Sequence, residues 1–358
     1  MLVEESLSES LLIGFLGADW WGSDALATAS ELRRRGHLLV ERHYEDFLPT
    51  RWRSSPLRIV RRLLRPMISR EYNLAVQELL SIDAMQMLVV FKGMLLSPET
   101  LGKFRERGVR CYCIYPDVSF EAHGSNIGEC LPLYDAVFTT KTFHLEEQRI
   151  RSRTQRLIAV PHGCDPAVHR VVLPSAELLR SYGCDASFVG AWSPKKERML
   201  TALMTALPDL TLHIWGPSWY YSSPGLQKHW RGRGAWGDEL AAIYQCSRIN
   251  LGLLSEAGAG TQSGDRTTAR TWQIPACASF LLHEDSEELR QAFAVDEEVG
   301  VFRDEHNLAE QVRYWLEHDD LRQRVAANGG LRVRNSAYTY SRAVTELLRF
   351  HAEWQGSQ

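Results

Sequence analysis

The chain has 358 residues, of which 44% are hydrophobic, and a formal net charge of −3 at pH 7. This length is enough for two domains with their own cores, and the balance of charges argues against wholesale binding of nucleic acids. No apolar run approaches the ~18 residues that a membrane helix needs. Acidic residues precede the first apolar run, so we expect no secretory signal. Seven scattered cysteines favour buried thiols in a reducing cytoplasm and no metal site.

Apolar strand patterns alternate with helix patterns through the first half of the chain. Strands are expected at residues 11–17, 38–42, 87–91, 109–115, 136–139 and 156–160, and helices at 24–35, 71–80 and 97–108. The first strand is apolar throughout, which is typical of a strand buried on both faces of a sheet. The alternation therefore predicts a parallel, doubly wound sheet.

The alternation starts again after residues 173–183, where proline, serine and glycine predict a hinge between domains. Strands are expected at 186–190, 211–215, 249–254, 280–283 and 299–302, and helices at 197–206, 239–246, 268–277, 307–318, 320–328 and 340–354. We therefore predict an amino-terminal Rossmann-like domain over 1–172 and a carboxy-terminal one over 184–338. In such sheets ligands bind beyond the carboxyl ends of the strands.

The segment Asp265–Phe280 (DRTTARTWQIPACASF) follows an apolar strand and a polar loop, and it begins a helix. Free backbone N–H groups and the positive end of the helix dipole make such a helix start a site for anions. Arg266 and Arg270 add planar donors suited to phosphate oxygens. Thr267 and Thr268 lie beside them. We therefore expect this segment to bind a substrate that carries a diphosphate.

This segment resembles the carboxy-terminal signature of the spore-maturation (CgeB-like) glycosyltransferases, roughly R-T-F-E-I-P-A-C-G-x-F-L-L, over Arg270–Leu282. More distantly, it is similar to the E-x7-E element of retaining sugar transferases, with Asp265 and Gln273 at the two acidic positions. Both depart from that pattern, and Ala278 stands where a glycine is usual. Gln273 still offers a donor and an acceptor to ribose hydroxyls, but it lacks the charge-assisted strength of a carboxylate.

Further matches to the same family run in order from about residue 86 to 345. They include Tyr134–Lys141 (YDAVFTTK), Pro161–Arg170 (PHGCDPAVHR), Phe188–Trp192 (FVGAW) and Ile214–Trp219 (IWGPSW). The resemblance implies the GT-B fold, in which two Rossmann-like domains face a cleft and the last helix, here within 339–358, returns to the first domain. It also implies a nucleoside diphosphate sugar as the donor.

The loop after the first strand of the second domain is a candidate for donor contacts. Gly190 lets the backbone approach a ligand, Trp192 follows it, and Lys196 stands at the start of the next helix, where it can reach a diphosphate. Lys195 is the alternative to Lys196. The plain interpretation is an ordinary turn with solvated lysines.

A second loop, after the next strand, contains Gly216 and Trp219. An aromatic residue just past a strand end can stack on a nucleobase, whichever base the donor carries. Packing of the loop aromatics between the domains explains the pattern equally well.

Candidates for chemistry on the acceptor lie in loops after strands of the first domain. Asp19 follows the first strand, and His123 follows a later one, with Asp117 and Glu121 as close competitors. An inverting transferase needs a general base for the acceptor hydroxyl, and aspartate, glutamate or histidine can serve. A retaining transferase needs chiefly cationic groups on the departing diphosphate. A lone loop aspartate or histidine is more often a cap or a surface residue.

Residues 51–70 carry seven arginines and no acidic residue. Apolar residues in the same stretch recur at helical spacing and give one apolar face. We expect a surface helix of the first domain with a solvated basic face. The alternative is a pad for an anionic acceptor or a membrane surface.

Together these observations predict a cytoplasmic GT-B glycosyltransferase of the hexosyltransferase type. It would use a nucleoside diphosphate sugar as co-substrate and neither a further cofactor nor a metal, because helix dipoles and cations can neutralise the leaving diphosphate. The acceptor, the base and the sugar stay open. A nucleotide-sugar epimerase of the same fold and a non-catalytic sugar-nucleotide sensor are the alternatives.

Overall fold

A computed structural model describes residues 10–48, 55–121, 124–256, 264–336 and 338–355, without the side chains of 55–59, 61 and 355. The chain divides into two compact units. The first unit comprises Met1–Pro161 together with Ala343–Gln358, and the second comprises His162–Arg342.

In the part of the first unit that the structure describes there are six strands, and the helices follow the strands in alternation. The strands are β1 (Leu12–Gly17), β2 (Leu38–His43), β3 (Met87–Phe91), β4 (Arg110–Tyr115), β5 (Ala136–Thr139) and β6 (Leu157–Ala159). The helices are α1 (Asp24–Arg34), α2 (Ser55–Gln77), α3 (Pro98–Glu106), α4 (Ser125–Cys130), α5 (Gln148–Arg151) and, from the end of the chain, α14 (Ser341–Gln355).

These six strands form one parallel sheet in the order β2-β1-β3-β4-β5-β6. Successive residues of β4 enter different cores: Cys111 and Cys113 pack with α2, α3 and α4, whereas Tyr112 and Ile114 pack with α1 and α14. Because both faces are covered, the central strands β1 and β3 are apolar throughout. Val344, on the last helix, is buried in the second of these cores, so the predicted return of the carboxy-terminal helix to the first domain is confirmed.

The second unit contains five strands and eight helices in the described ranges. The strands are β7 (Cys184–Val189), β8 (Leu212–Trp215), β9 (Ser247–Gly252), β10 (Leu281–Glu284) and β11 (Gly300–Phe302). The helices are α6 (Ala176–Tyr182), α7 (Pro194–Ala206), α8 (Pro224–Gln227), α9 (Gly237–Cys246), α10 (Ala269–Ala276), α11 (Glu287–Ala292), α12 (Glu305–Glu317) and α13 (Asp319–Asn335).

Its strands are also all parallel, in the order β11-β10-β9-β7-β8. Helices α7 and α12 cover one face of the sheet, and α9, α10 and α11 cover the other, while α13 contributes residues to both cores. Both units are therefore doubly wound, as the alternation of patterns predicted.

The segment predicted as a hinge, 173–183, contains helix α6 instead. Ser175 caps this helix, because its hydroxyl oxygen accepts a hydrogen bond from the Leu178 backbone N–H at 3.2 Å. At the other end, the Tyr182 hydroxyl donates to Glu239 of α9 at 2.8 Å. Serine and proline, which mark loops, also mark helix starts, so the residues that predicted a hinge here begin a helix.

The seven cysteines are buried free thiols, and burial raises the pKa of each, as for Cys111 and Cys277. In the described part of the chain no group of three or more histidine, cysteine, aspartate or glutamate residues could hold a metal ion. Likewise, no helix in the described ranges is both long enough and apolar enough to cross a bilayer.

Candidate functional site

The carboxyl edge of the second sheet, where its strands end, has a topological switch point between β7 and β9. The chain leaves β7 towards α7 on one face of the sheet and leaves β9 towards α10 on the other face. The two loops therefore diverge, and in open parallel sheets the crevice they leave is where ligands bind. The residues that the sequence singled out for the donor come largely from these two loops.

Arg270, on the first turn of α10, bridges the ends of both strands. Its Nη1 donates to the carbonyl oxygen of Val189 at 2.9 Å, and its Nη2 donates to that of Leu253 at 2.8 Å. In the described part of the chain, neither a carboxylate at ion-pair distance nor an acceptor for its buried Nε–H is present. Burial lowers the pKa of Arg270, but an arginine remains protonated. The hydrogen bonds that hold this cation at the switch point thus go to backbone carbonyl groups.

Lys196, on the first turn of α7, brings a second cation to the same place. It is 4% exposed, and its ammonium donates to the Ser255 hydroxyl at 2.8 Å and to the Ala191 carbonyl at 3.3 Å. The Lys196 ammonium lies 5.8 Å from the ring centre of Phe188, and the Arg270 guanidinium carbon lies 5.0 Å from the same centre. Both contacts are within the range of cation–π attraction.

Lys195, the alternative to Lys196, is already neutralised. Its ammonium pairs with Glu284 at the end of β10 at 2.5 Å. The other carboxylate oxygen of Glu284 accepts from the Leu254 backbone N–H at 3.0 Å. Glu284 therefore ties the end of β10 both to α7, through Lys195, and to the loop after β9.

The start of α10 is fixed by a chain of three hydrogen bonds. The Thr268 backbone N–H donates to the Thr271 hydroxyl at 2.9 Å, and that hydroxyl lies 2.9 Å from Nε2 of His283. Nδ1 of His283 is 2.5 Å from the Glu284 carbonyl oxygen, which can only accept. His283 is therefore neutral with its proton on Nδ1, and Nε2 accepts from Thr271. Burial lowers the pKa of His283 to about 4, which keeps this arrangement intact at neutral pH.

Two glycines allow the loops after β7 and β8 to touch. A side chain at Gly216, whose φ is 139°, would meet the Gly190 carbonyl oxygen at 2.0 Å. A side chain at Gly190 would lie 2.8 Å from Nη1 of Arg270. Both positions must therefore be glycine if the loop is to pack against Arg270.

Trp219 does not present a face to a ligand, contrary to the stacking hypothesis. Its side chain is fully buried, its indole N–H donates to the Gly190 carbonyl oxygen at 2.9 Å, and its ring meets Phe188 edge-on. Trp219 thus supports the glycine contact from within the core. The exposed aromatic residues of the same loop are Tyr220 and Tyr221, and the ring of Tyr221 lies 5.5 Å from that of Trp192. The Trp192 indole N–H donates to Glu197 at 2.8 Å.

The other predicted donor residues lie around α10. Asp265 and Thr267 are buried before the helix, and Gln273 is buried on its second turn. The Asp265 backbone N–H donates to the Ser255 carbonyl at 2.8 Å, which ties this segment to the loop that holds Lys196. Residues 257–263 of the loop lie outside the described ranges.

Arg266 stands apart from the two cations at the switch point. It lies 3.8 Å from Glu288, and its carbonyl oxygen accepts from the Ser286 hydroxyl at 2.5 Å. Arg266 is thus oriented towards α11, and the structure brings Gly190, Gly216, Lys196 and Arg270 together without it.

The carboxyl edge of the first sheet has its own switch point, between β1 and β3. Asp19 lies two residues after β1 and is exposed. Lys92, directly after β3, has φ of 67° and pairs with Asp117 at 2.9 Å. A left-handed backbone at a residue other than glycine is strained, and such strain clusters at functional sites. His123, the other predicted catalytic residue, lies outside the described ranges.

Sequence reasoning missed Glu45, which follows β2 at the same edge. Its carboxylate oxygens are buried. Burial, with a smaller contribution from the charge of Asp19, raises the pKa of Glu45. No motif marks this glutamate, and only the neighbouring order of β2 and β1 brings it near Asp19. Glu121, by contrast, pairs with Arg149 on the surface.

Comparisons with known proteins agree with this architecture. Residues 195–349 match the family model described as glycosyl transferase-like, whereas none of the curated proteins matches the chain. The chain resembles the sucrose-phosphate synthase of Thermosynechococcus elongatus at 12% identity and a TM-score of 0.65, over 97% of this chain and 100% of that one. Anabaena HepE in complex with UDP-glucose matches at 9% identity and a TM-score of 0.60, over 97% of this chain and 100% of that one.

A third solved structure is a putative UDP-N-acetylglucosamine 2-epimerase from Listeria monocytogenes, at 10% identity and a TM-score of 0.52, over 95% of both chains. Identities this low establish the fold and nothing beyond it. The predicted GT-B fold is confirmed.

Proposed function

We propose that this protein transfers a sugar from a nucleoside diphosphate sugar to an acceptor hydroxyl. The observation that carries the proposal is the pair Lys196 and Arg270 at the β7/β9 switch point. In the described part of the chain Arg270 has neither a carboxylate at ion-pair distance nor an acceptor for its buried Nε–H. A buried cation in that position is costly, and a bound diphosphate would supply the missing negative charge. The match of residues 195–349 to the glycosyl transferase-like model covers this site. Anabaena HepE, one of the matching structures, is a complex with UDP-glucose.

On the donor side, each group has a distinct role in the proposal. Lys196 exchanges its bond to Ser255 for a phosphate oxygen, and the free N–H groups at the start of α10 bind the diphosphate along the helix dipole. Arg270 holds the two strand ends apart at fixed spacing and turns its free Nε–H to the ligand. Gln273 binds the ribose hydroxyls as donor and acceptor. Cations placed where negative charge develops stabilise the leaving diphosphate.

On the acceptor side, Asp19 is the candidate general base, and Glu45 is a neighbouring carboxyl group. Burial raises the pKa of Glu45, and the exposed carboxylate of Asp19 would accept the proton of the acceptor hydroxyl. His123 keeps its place as the second candidate. The acceptor is a small molecule, a glycan or a protein.

We also propose that the reaction needs no metal ion, because Lys196, Arg270 and two helix starts already provide positive charge for the diphosphate. The measurement is sugar transfer after treatment with EDTA. Unchanged turnover is expected, and loss of turnover that Mg²⁺ or Mn²⁺ restores would contradict it. Membership of the CgeB-like family and a cytoplasmic location likewise remain proposals, supported by the motif matches and by the buried free thiols.

The fold similarity to a putative UDP-N-acetylglucosamine 2-epimerase keeps an epimerase as the second candidate. A thermal-shift screen across UDP-, GDP- and dTDP-sugars identifies the donor, because a ligand that binds only the folded state raises its melting temperature. Donor turnover is then measured with and without a panel of hydroxyl acceptors. A transferase consumes donor faster with acceptor, whereas an epimerase converts the sugar nucleotide without one. Binding with no turnover in any mixture would leave a sensor and contradict the proposal.

A further inference from the structure

Helix α2 (Ser55–Gln77) has two apolar faces, and only one of them is covered. Ile68, Tyr72 and Val76 are buried in the core beneath the first sheet. A second row is exposed to solvent, with Val60 40%, Leu63 74%, Met67 56% and Leu74 48% exposed. Successive residues of an α-helix are rotated by about 100° around the helix axis, so these four positions fall within an arc of about 60° on one side of α2. We call these four residues the exposed stripe.

The same helix is strongly basic. It carries arginines at 58, 61, 62, 65 and 70, and its first acidic residue is Glu71. The side chains of Arg62, Arg65 and Arg70 are exposed. The whole chain has a net charge of −3, so this concentration of positive charge is a local property of α2. The solvated basic face expected from the sequence is therefore only part of this surface.

We propose that α2 docks the protein on the surface of an anionic lipid bilayer. An amphipathic helix with exposed aliphatic side chains and neighbouring arginines buries its apolar row at the level of the headgroups, while the guanidinium groups meet lipid phosphates. A second copy of the chain fits this surface less well, because two copies would bring their arginines together. Binding of a nucleic acid would use the arginines but leave the exposed stripe without a role.

The experiment is co-sedimentation of the full chain with vesicles, without donor or acceptor. One set of vesicles contains phosphatidylcholine alone, and the other contains equal parts of phosphatidylcholine and phosphatidylglycerol. We expect binding to the anionic vesicles that weakens as NaCl is raised, since salt screens the attraction between arginine and lipid. Binding to phosphatidylcholine alone should be close to background.

Two variants separate the contributions of the exposed stripe and the charges. Leu63→Glu places an acid in the stripe and should lower the partition coefficient for anionic vesicles by about tenfold or more. Arg62→Glu combined with Arg70→Glu should lower it by more than about fivefold for each arginine replaced, the scale of one charge near an anionic surface.

Matched controls come from the second unit. Leu173 is 86% exposed, so Leu173→Glu makes the same change away from α2. Arg180 and Arg324 are exposed arginines of the second unit, so their double replacement by glutamate changes the net charge equally. Both control variants should bind vesicles like the unchanged protein. Circular dichroism and melting temperature establish that every variant is folded.

Three results would overturn the proposal. The unchanged protein could fail to sediment with anionic vesicles at low salt. The control variants could lose binding as much as the α2 variants, which would indicate nonspecific attraction. Finally, a dimer seen by light scattering without lipid, and abolished by Leu63→Glu, would assign the exposed stripe to self-association.

Discussion

In both units a parallel sheet ends in diverging loops at a switch point, between β1 and β3 in the first and between β7 and β9 in the second. The two carboxyl edges differ in charge. The second unit places Lys196 and Arg270 at its edge, whereas the first places Asp19, Glu45 and the ion pair of Lys92 and Asp117 there. One backbone plan thus supports two chemistries: cations suit a leaving diphosphate, and carboxylates suit an acceptor hydroxyl.

The edges also differ in how firmly their groups are held. Around α10, several polar side chains are fixed by partners. Arg270 donates to two backbone carbonyls, the Thr271 hydroxyl contacts His283, and Glu284 pairs with Lys195. At the first edge Asp19 is exposed. A rigid second edge suits a donor whose diphosphate must be placed accurately, while an open first edge suits a larger and more variable acceptor.

The largest expected effect is a loss of turnover, and it tests the role of the carboxylates at the edge of the first sheet. Asp19→Asn keeps the shape of the side chain but removes the base, so turnover should fall by about a hundredfold or more. Donor affinity, measured by calorimetry, should not change. Asp83→Asn is the control, because Asp83 is an exposed carboxylate of the same unit paired with Arg107. If Asp19→Asn stays active and Glu45→Gln does not, the base is Glu45.

The next effect tests whether Arg270 holds the second edge together. Arg270→Ala leaves the carbonyl oxygens of Val189 and Leu253 without their donor, so the free energy of unfolding should fall by about 3 kcal/mol. Donor affinity should weaken by about 1.5–3 kcal/mol, the scale of a charged hydrogen bond. Urea unfolding and calorimetry measure the two. Unchanged affinity for every nucleoside diphosphate that the unchanged protein binds would exclude Arg270 from the site.

The third effect is a pH dependence confined to the second edge. The pKa of His283 is about 4 in the folded protein against an ordinary 6.5, because burial disfavours the charged ring. The unfolded chain therefore binds the proton first, and stability should fall as the pH drops from about 6.5 to 4, by about 3 kcal/mol in all. Arg270 lowers the pKa further, while Asp265 and Asp285 oppose this.

Urea unfolding at pH 7 and pH 5 measures this dependence, with His283→Gln as the comparison. Glutamine does not titrate, so the variant should lose this part of the acid sensitivity. An equal loss of stability on acidification in both proteins would show that other groups are responsible.

The smallest expected effect is on donor affinity, and it tests which cations of the second edge contact the donor. Arg266→Ala should change donor affinity by less than about threefold, because an exposed ion pair contributes little and Arg266 faces Glu288. The measurement is calorimetric titration of this variant with the nucleotide used for Arg270→Ala. A loss as large as that of Arg270→Ala would place Arg266 on the ligand.

Local signals made much of the fold predictable. β3 was expected at 87–91, where the structure has it, because a short apolar run bounded by polar residues leaves little choice. Serine is a common helix cap, and the hydroxyl oxygen of Ser23, directly before α1, accepts a hydrogen bond from the Leu26 backbone N–H. The position of Ala278, where a glycine is usual in the resembling family, has φ of 51°, which explains that preference physically.

The errors come from interactions distant in sequence. Trp219 was expected in a loop that faces a ligand, but its burial depends on Gly190 and Phe188, about thirty residues away. The two carbonyls that hold Arg270 and the proximity of Glu45 to Asp19 likewise follow from strand order. Strand order is a tertiary property that no local pattern encodes. Local patterns therefore predict which residues follow each strand, but not which of them come together.

The central claim is that the second edge binds the diphosphate, and calorimetric comparison of UDP with uridine, and of GDP with guanosine, tests it most directly. The unchanged protein should bind the diphosphate much more tightly than the nucleoside, and Lys196→Met should reduce this difference by about 1.5–3 kcal/mol. Lys195→Met, whose lysine is paired with Glu284, should leave it nearly unchanged. A difference that survives Lys196→Met undiminished would contradict the account.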